Sequence, residues 1–194
     1  MLINDVVFGA IDKNDLILNK YELSARIGGS INLDDYKEMI DIFNRASIYR
    51  FAYVKMPIIV ESSRCFFENE CVESQALSNV LQGCKEAIFF AVTAGIETDR
   101  LIAKSSIQNK AYAFILDCIG SAMIEACADH VNALITKDKN CTKRFSPGYA
   151  DFPIEFQRII LNRLNAQHTV GISLSEMFLM TPMKSITAVI GVYE

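Results

Sequence analysis

Residues 111–135 read AYAFILDCIGSAMIEACADHVNALI, a helical pattern that is apolar on almost every side. A helix of that kind is stable only where other elements cover it all round. The stretch therefore predicts a long, buried, central helix, and the rest of the chain has to be arranged about it. Its polar exceptions are spaced. Asp117, Ser121, Glu125 and Asp129 fall at successive four-residue steps and trace one slowly drifting stripe. Gly120, beside the stripe, leaves room for a close approach to the helix. Glu125 has apolar neighbours on every side and is expected to be enclosed, so it needs a cationic partner. Arg144 is one candidate and a cationic ligand group is another.

The remaining elements are shorter. Residues 1–20 read as short strand or loop, and Arg26–Gly29 as a turn. Asn32 is placed to cap an amphipathic helix reaching about Ser47. Residues 49–60 (YRFAYVKMPIIV) predict a strand, with Pro57 marking an edge or a bulge. Residues 62–73 read as polar loop, and 75–82 as a short helix ended by Gly83. EAIFFAVTA (86–94) predicts a buried strand and 97–107 a helix. After the central helix and a polar connection over 137–143 comes a helix over 153–165, with Pro153 in its first position. Residues 172–180 fit helix or strand equally. SITAVIGVY (185–193) predicts a half-buried strand. Helices are grouped and strands scattered. The expected class is therefore α+β: a mixed or antiparallel twisted sheet packed with helices around the central one. With 194 residues, 51% of them apolar, one domain spanning 1–194 is expected.

Several functions are excluded. A net charge of −4 argues against nucleic-acid binding. No uninterrupted apolar run reaches the roughly 18 residues of a membrane span. MLINDVVFGAIDKND is not a signal peptide, and a cytoplasmic setting with the six cysteines reduced is expected. The cysteines form no CxxC pair and there are only two histidines, so no metal site is expected. Dinucleotide-binding, P-loop and nucleophile-elbow motifs are all absent.

What remains is RFSPGYADFP, Arg144–Pro153, which holds two of the four prolines. Arg144 offers a planar fork for a carboxylate or phosphate. Pro147 holds Ser146 extended. Gly148 permits backbone paths that other residues refuse and lets a ligand lie against the main chain. Tyr149 supplies a flat face and a hydroxyl. The set suits an amphipathic ligand with an anionic end, and it also suits a rigid turn with Arg144 paired to a nearby acid.

RFSPGYADFP, a following helix and then GISLSEMFLMTPMKSITAVIGV together resemble the reactivation (activation) domain of cobalamin-dependent methionine synthase. Arg144, Gly148 and Tyr149 match that family's RxxxGY motif. Gly171, Leu174, Ser175, Glu176, Met180, Pro182 and Ser185 match its second segment. GSAMIEACADH is similar to the family helix before the motif, with Glu125 on its ligand-contacting glutamate. LQGCKEAIFFAVTAGIETDRLI is similar to short, free-standing members. The resemblance covers residues 80–194 well and 1–80 loosely. It implies S-adenosylmethionine as ligand and a cobalamin carried by a partner, methionine synthase. Arg144 would take the methionyl carboxylate. Backbone groups at Ser146 and Gly148 would meet the ligand. Glu125 would hold its amino group or lie near the sulfonium, and Tyr149 would line the methyl-transfer site. Ser121 and Glu176 would extend the pocket. An external one-electron donor such as flavodoxin is implied, and the chain would be part of methionine synthase rather than a complete enzyme. Ser121 stands where the family has a further helix acid, and residues 1–30 hold no clear match to its N-terminal acidic contact. Two rivals stay open: an interaction module of the same fold that has lost the ligand, and a small enzyme using a cysteine thiolate.

Overall fold

Two strands set the architecture because both their faces are apolar. The computed structural model describes residues 6–137 and 139–193, so the first five of the residues 1–20 expected to be strand or loop lie outside the described residues. Strands β1 (Val7–Ala10), β2 (Arg50–Glu61), β3 (Arg64–Phe67), β4 (Glu70–Glu73), β5 (Glu86–Thr93) and β8 (Ser185–Val192) form one sheet in the order β4-β3-β2-β5-β8, with β1 also on β2. Every pairing is antiparallel, which narrows the mixed-or-antiparallel expectation. A two-stranded hairpin of β6 (Ser173–Leu174) and β7 (Met180–Thr181) stands apart. It resolves the ambiguous residues 172–180 as strand, turn and strand.

The sheet is covered on both sides. Ile88, Phe90 and Val92 of β5, with Ala188 and Ile190 of β8, face one core. Ala87, Phe89 and Ala91, with Val189, face the other. That two-sided burial is why β5 reads as an unbroken apolar run. It also corrects the half-buried expectation for β8, whose residues are buried on both faces except Ile186. The first face carries α1 (Lys20–Ile27), α2 (Lys37–Ala46), α4 (Ile96–Gln108) and α5 (Lys110–Thr136). The second carries α3 (Gln75–Leu81), α6 (Phe156–Arg163) and the single turn α7 (Ala166–Thr169). Helix α5 is the predicted central helix, capped by Asn109. It is long and apolar enough to cross a membrane, but here it packs against β5, β8 and three helices.

Four other expectations change. The turn at Arg26–Gly29 is the end of α1: Asn19 accepts from Tyr21 N and Glu22 N at its start, and Gly28, at φ +93°, closes it. Only Leu23 of α1 is buried, so its apolar periodicity is faint. Residues 62–73 are not loop but the hairpin β3–β4, whose buried residues Cys65, Phe67 and Val72 sit among the charged Arg64, Glu70 and Glu73 and the less buried Phe66 and Cys71. Pro57 lies in β2 as the last residue paired with β5, before β2 pairs with β3 from Ile58 onward. The helix predicted over 153–165 runs only over Phe156–Arg163. Pro153 and Ile154 accept from Phe156 N and Gln157 N in tight turns ahead of it.

Candidate functional site

The polar stripe of α5 is paired along its whole length. Lys184, immediately before β8, donates from Nζ to Asp117 Oδ1 at 2.7 Å and to Ser121 Oγ at 2.9 Å. Arg144 donates from Nη2 to Glu125 Oε2 at 2.7 Å and from Nη1 to Asp129 Oδ1. Each cation thus bridges acceptors one helical turn apart. Gly120 has the predicted role: a Cβ there would lie 2.8 Å from the Phe43 ring and 3.1 Å from Lys184 Cε. Glu125 is less enclosed than its apolar neighbours imply, with its side chain 32% exposed, because the helix turns that stripe toward an opening.

Backbone pairing aims Arg144. The segment before it lies along the free edge of β8, with Thr142 N donating to Gly191 O and Phe145 exchanging both bonds with Val189. Alternation along this extended stretch sends Arg144 to the α5 side and Phe145 to the opposite core, where its ring stacks on Phe152 at 5.9 Å. The chain then turns tightly. Gly148, at φ +91°, donates to Phe152 O at 2.8 Å, and a Cβ on it would meet Ile154 Cδ1 at 2.9 Å. The turn alone therefore requires glycine here. Asp151 locks the far end: it accepts from Ser74 Oγ and Gln75 N at 2.7 Å and from Ala76 N at 3.1 Å, at the start of α3. Those bonds, Ser74's foremost, hold its carboxyl below the usual aspartate range.

Between this loop and the β6–β7 hairpin lies a groove of about 740 Å³, within the size range of small-molecule sites. Its lining includes Arg144, Ser146, Pro147 and Tyr149 of the loop, Phe178–Thr181 of the hairpin, Glu125 of α5 and residues 185–187 of β8. Gln157 donates to Phe178 O at 3.5 Å and Arg158 lies 5.0 Å over the Phe178 ring, which ties the hairpin to α6. Tyr149, part of that lining, is 64% exposed.

Of the residues singled out from sequence, Glu125, Arg144, Ser146 and Tyr149 come together on this groove. Gly148 shapes the loop without lining it. Ser121 is engaged by Lys184 instead. Glu176 lines a separate polar cleft of about 530 Å³ with Arg158, Asn162 and His168. Asp129 as the second acid on Arg144, Lys184 and the Asp151 anchor were not anticipated as parts of the site, although Asp129 was visible in the four-residue spacing. Arg26 of α1 also reaches Glu125 Oε1, at 4.0 Å.

Five of the six cysteines offer little to thiolate chemistry, and the sixth, Cys71, is exposed on the β3–β4 hairpin. Burial pushes Cys65 up to about 11 and Cys127 up to about 12, and raises Cys84, Cys118 and Cys141 as well. Among the described residues no group of three or more His, Cys, Asp or Glu side chains is placed to hold a metal ion.

A curled antiparallel sheet, a long helix across one face and an arginine-walled groove at the sheet edge define a class: the reactivation-domain fold. A solved structure described as the MetH reactivation domain bound to AdoHcy superposes with a TM-score of 0.69 over 97% of this chain and 78% of that one, at 14% sequence identity. The chain belongs to the family of vitamin B12-dependent methionine synthase activation domains, whose model matches residues 73–193. No curated protein sequence matches it.

Proposed function

We propose that the chain binds S-adenosylmethionine in the Arg144–Tyr149 groove. It docks there on a cobalamin-carrying partner, methionine synthase, and supports the return of oxidised cobalamin to methylcobalamin. The carrying observation is that Arg144, Ser146, Tyr149 and Glu125 line one groove, with Arg144 bonded to Glu125. A guanidinium suits the ligand's carboxylate. Glu125 suits its ammonium or sulfonium charge. Ser146 lies within the lining, and Tyr149, exposed beside it, is available to a docking partner. When bound, the partner's cobalamin would supply reductive methylation chemistry: an external one-electron donor such as flavodoxin would reduce it, and S-adenosylmethionine would give up its methyl group and leave as S-adenosylhomocysteine. This chain's share is to bind, orient and cover.

Equilibrium titration of S-adenosylmethionine tests the proposal. Saturable binding to the wild type and marked weakening in Arg144→Ala are expected. No binding at millimolar ligand, with or without the cobalamin protein, refutes it.

A second reading has its own observation. Both arms of Arg144 are already held by acids, as in a purely structural clamp. On that reading the domain is an interaction module. Its affinity for the cobalamin protein would then be unchanged by Arg144→Ala.

A further inference from the structure

The charged side chains beside the groove form one alternating row: Glu22, Arg26, Glu125, Arg144, Asp129. Arg26 Nη2 lies 2.6 Å from Glu22 and 4.0 Å from Glu125. Arg144 Nη2 lies 2.7 Å from Glu125, and Nη1 contacts Asp129. The two acids on Arg144 are not equivalent. Glu125 lines the groove, is 32% exposed and has Arg26 as a further partner. Asp129 is 67% exposed and is not part of the lining; among the described residues Arg144 is its ion-pair partner. Releasing Asp129 returns a carboxylate to water at little cost. Releasing Glu125 would strip a half-buried acid of its closest cation.

We propose that Asp129 is an internal competitor, occupying Nη1 of Arg144 until the carboxylate of an incoming ligand displaces it. The proposal rests on the reading of this groove as an S-adenosylmethionine site. The exchange replaces one carboxylate by another at the same donors, so the guanidinium is never left bare and Glu125 keeps its own bond. A ligand that carries an amino-acid end has to make the exchange. A ligand that lacks one does not. Asp129 therefore lowers affinity for the amino-acid end specifically and leaves nucleoside binding untouched. Exposed ion pairs hold their partners by a factor of about two to five, which sets the size of the effect.

Calorimetric titration with S-adenosylhomocysteine and with 5′-methylthioadenosine tests this. Neither probe carries a sulfonium, so removing the Asp129 charge does not change the attraction of a cationic sulfur. They differ in the amino-acid end. In Asp129→Asn, S-adenosylhomocysteine is expected to bind about two- to five-fold tighter and 5′-methylthioadenosine with unchanged affinity. Asp129→Glu, which keeps a carboxylate, should retain wild-type affinity. In an Arg144→Ala background Asp129→Asn should have no effect, which gives a second readout. If S-adenosylhomocysteine binds the wild type but no tighter to Asp129→Asn, the competitor is overturned and the assignment of the groove stands. Equal tightening of both probes overturns it as well. Absence of binding to the wild type at millimolar probe removes the assignment and the competitor together.

Discussion

The two halves of the α5 stripe use the same device in different surroundings. Toward the helix N-terminus, Lys184 bridges Asp117 and Ser121 with its own side chain only 10% exposed, its stem pressed against Gly120. Toward the C-terminus, Arg144 bridges Glu125 and Asp129 on the wall of an open groove. Spacing and pairing are alike. Access and donor shape differ. A buried ammonium held by two acceptors on the helix fastens the strand that follows it. A guanidinium on the groove, with one arm held only by the exposed Asp129, can also receive a ligand by exchange. The lesson is that a paired charge in a structure is not thereby spent.

The sharpest way to break that contrast is Lys184→Ala. If the first clamp is a fastening, this change loses charge-assisted bonds and buried stem packing. It should cost about 3 kcal/mol of unfolding free energy in denaturant titration. A loss no larger than that of Arg144→Ala would erase the distinction. Arg144→Ala should do the reverse. S-Adenosylmethionine affinity should fall about 10- to 100-fold, as expected for a lost charge-assisted bond. Stability should change by less than about 1 kcal/mol, because the pair is partly exposed.

A smaller effect is expected at Gly120. In Gly120→Ala the added methyl would crowd Phe43 and Lys184. Overpacking outweighs the gain in helix propensity, for a net loss of about 1 kcal/mol measurable by thermal unfolding. The smallest concerns Asp151, which fastens the groove loop to α3. Its carboxyl is held below the ordinary value of 3.8, so its contribution is present above that pH and is lost as pH falls through the lower, folded value. The stability difference between wild type and Asp151→Asn should shrink as unfolding is followed downward from pH 6. A difference that grows on acidification would contradict the anchor.

Much of this was readable in advance where the signal was local. The span of α5, its stripe, the buried run of β5 and the close approach at Gly120 all follow from periodicity and residue size. Local chemistry also carried Gly83 and Asn32 as punctuation. What was misread lacked a local signal or carried a misleading one. Helix α1 buries a single side chain, and the hairpin β3–β4 hides three buried residues in a segment rich in charged ones. Pro153 looked like the first residue of a helix that starts after two tight turns.

By itself the sequence determined that a long apolar helix must lie at the centre, that its acids must share one stripe, and that an arginine, a glycine and a tyrosine must sit on one tight loop. It also sufficed to place the chain in its family. Only the tertiary structure decided which cation meets which acid. The chain distance from Glu125 to Arg144 is 19 residues and from Asp117 to Lys184 is 67, and no local rule spans either. Strand β8 does so by placing Lys184 ahead of its first residue and seating the segment that carries Arg144 along its free edge. The pairing register of one strand thereby assigns the buried clamp to one half of the helix and the groove to the other.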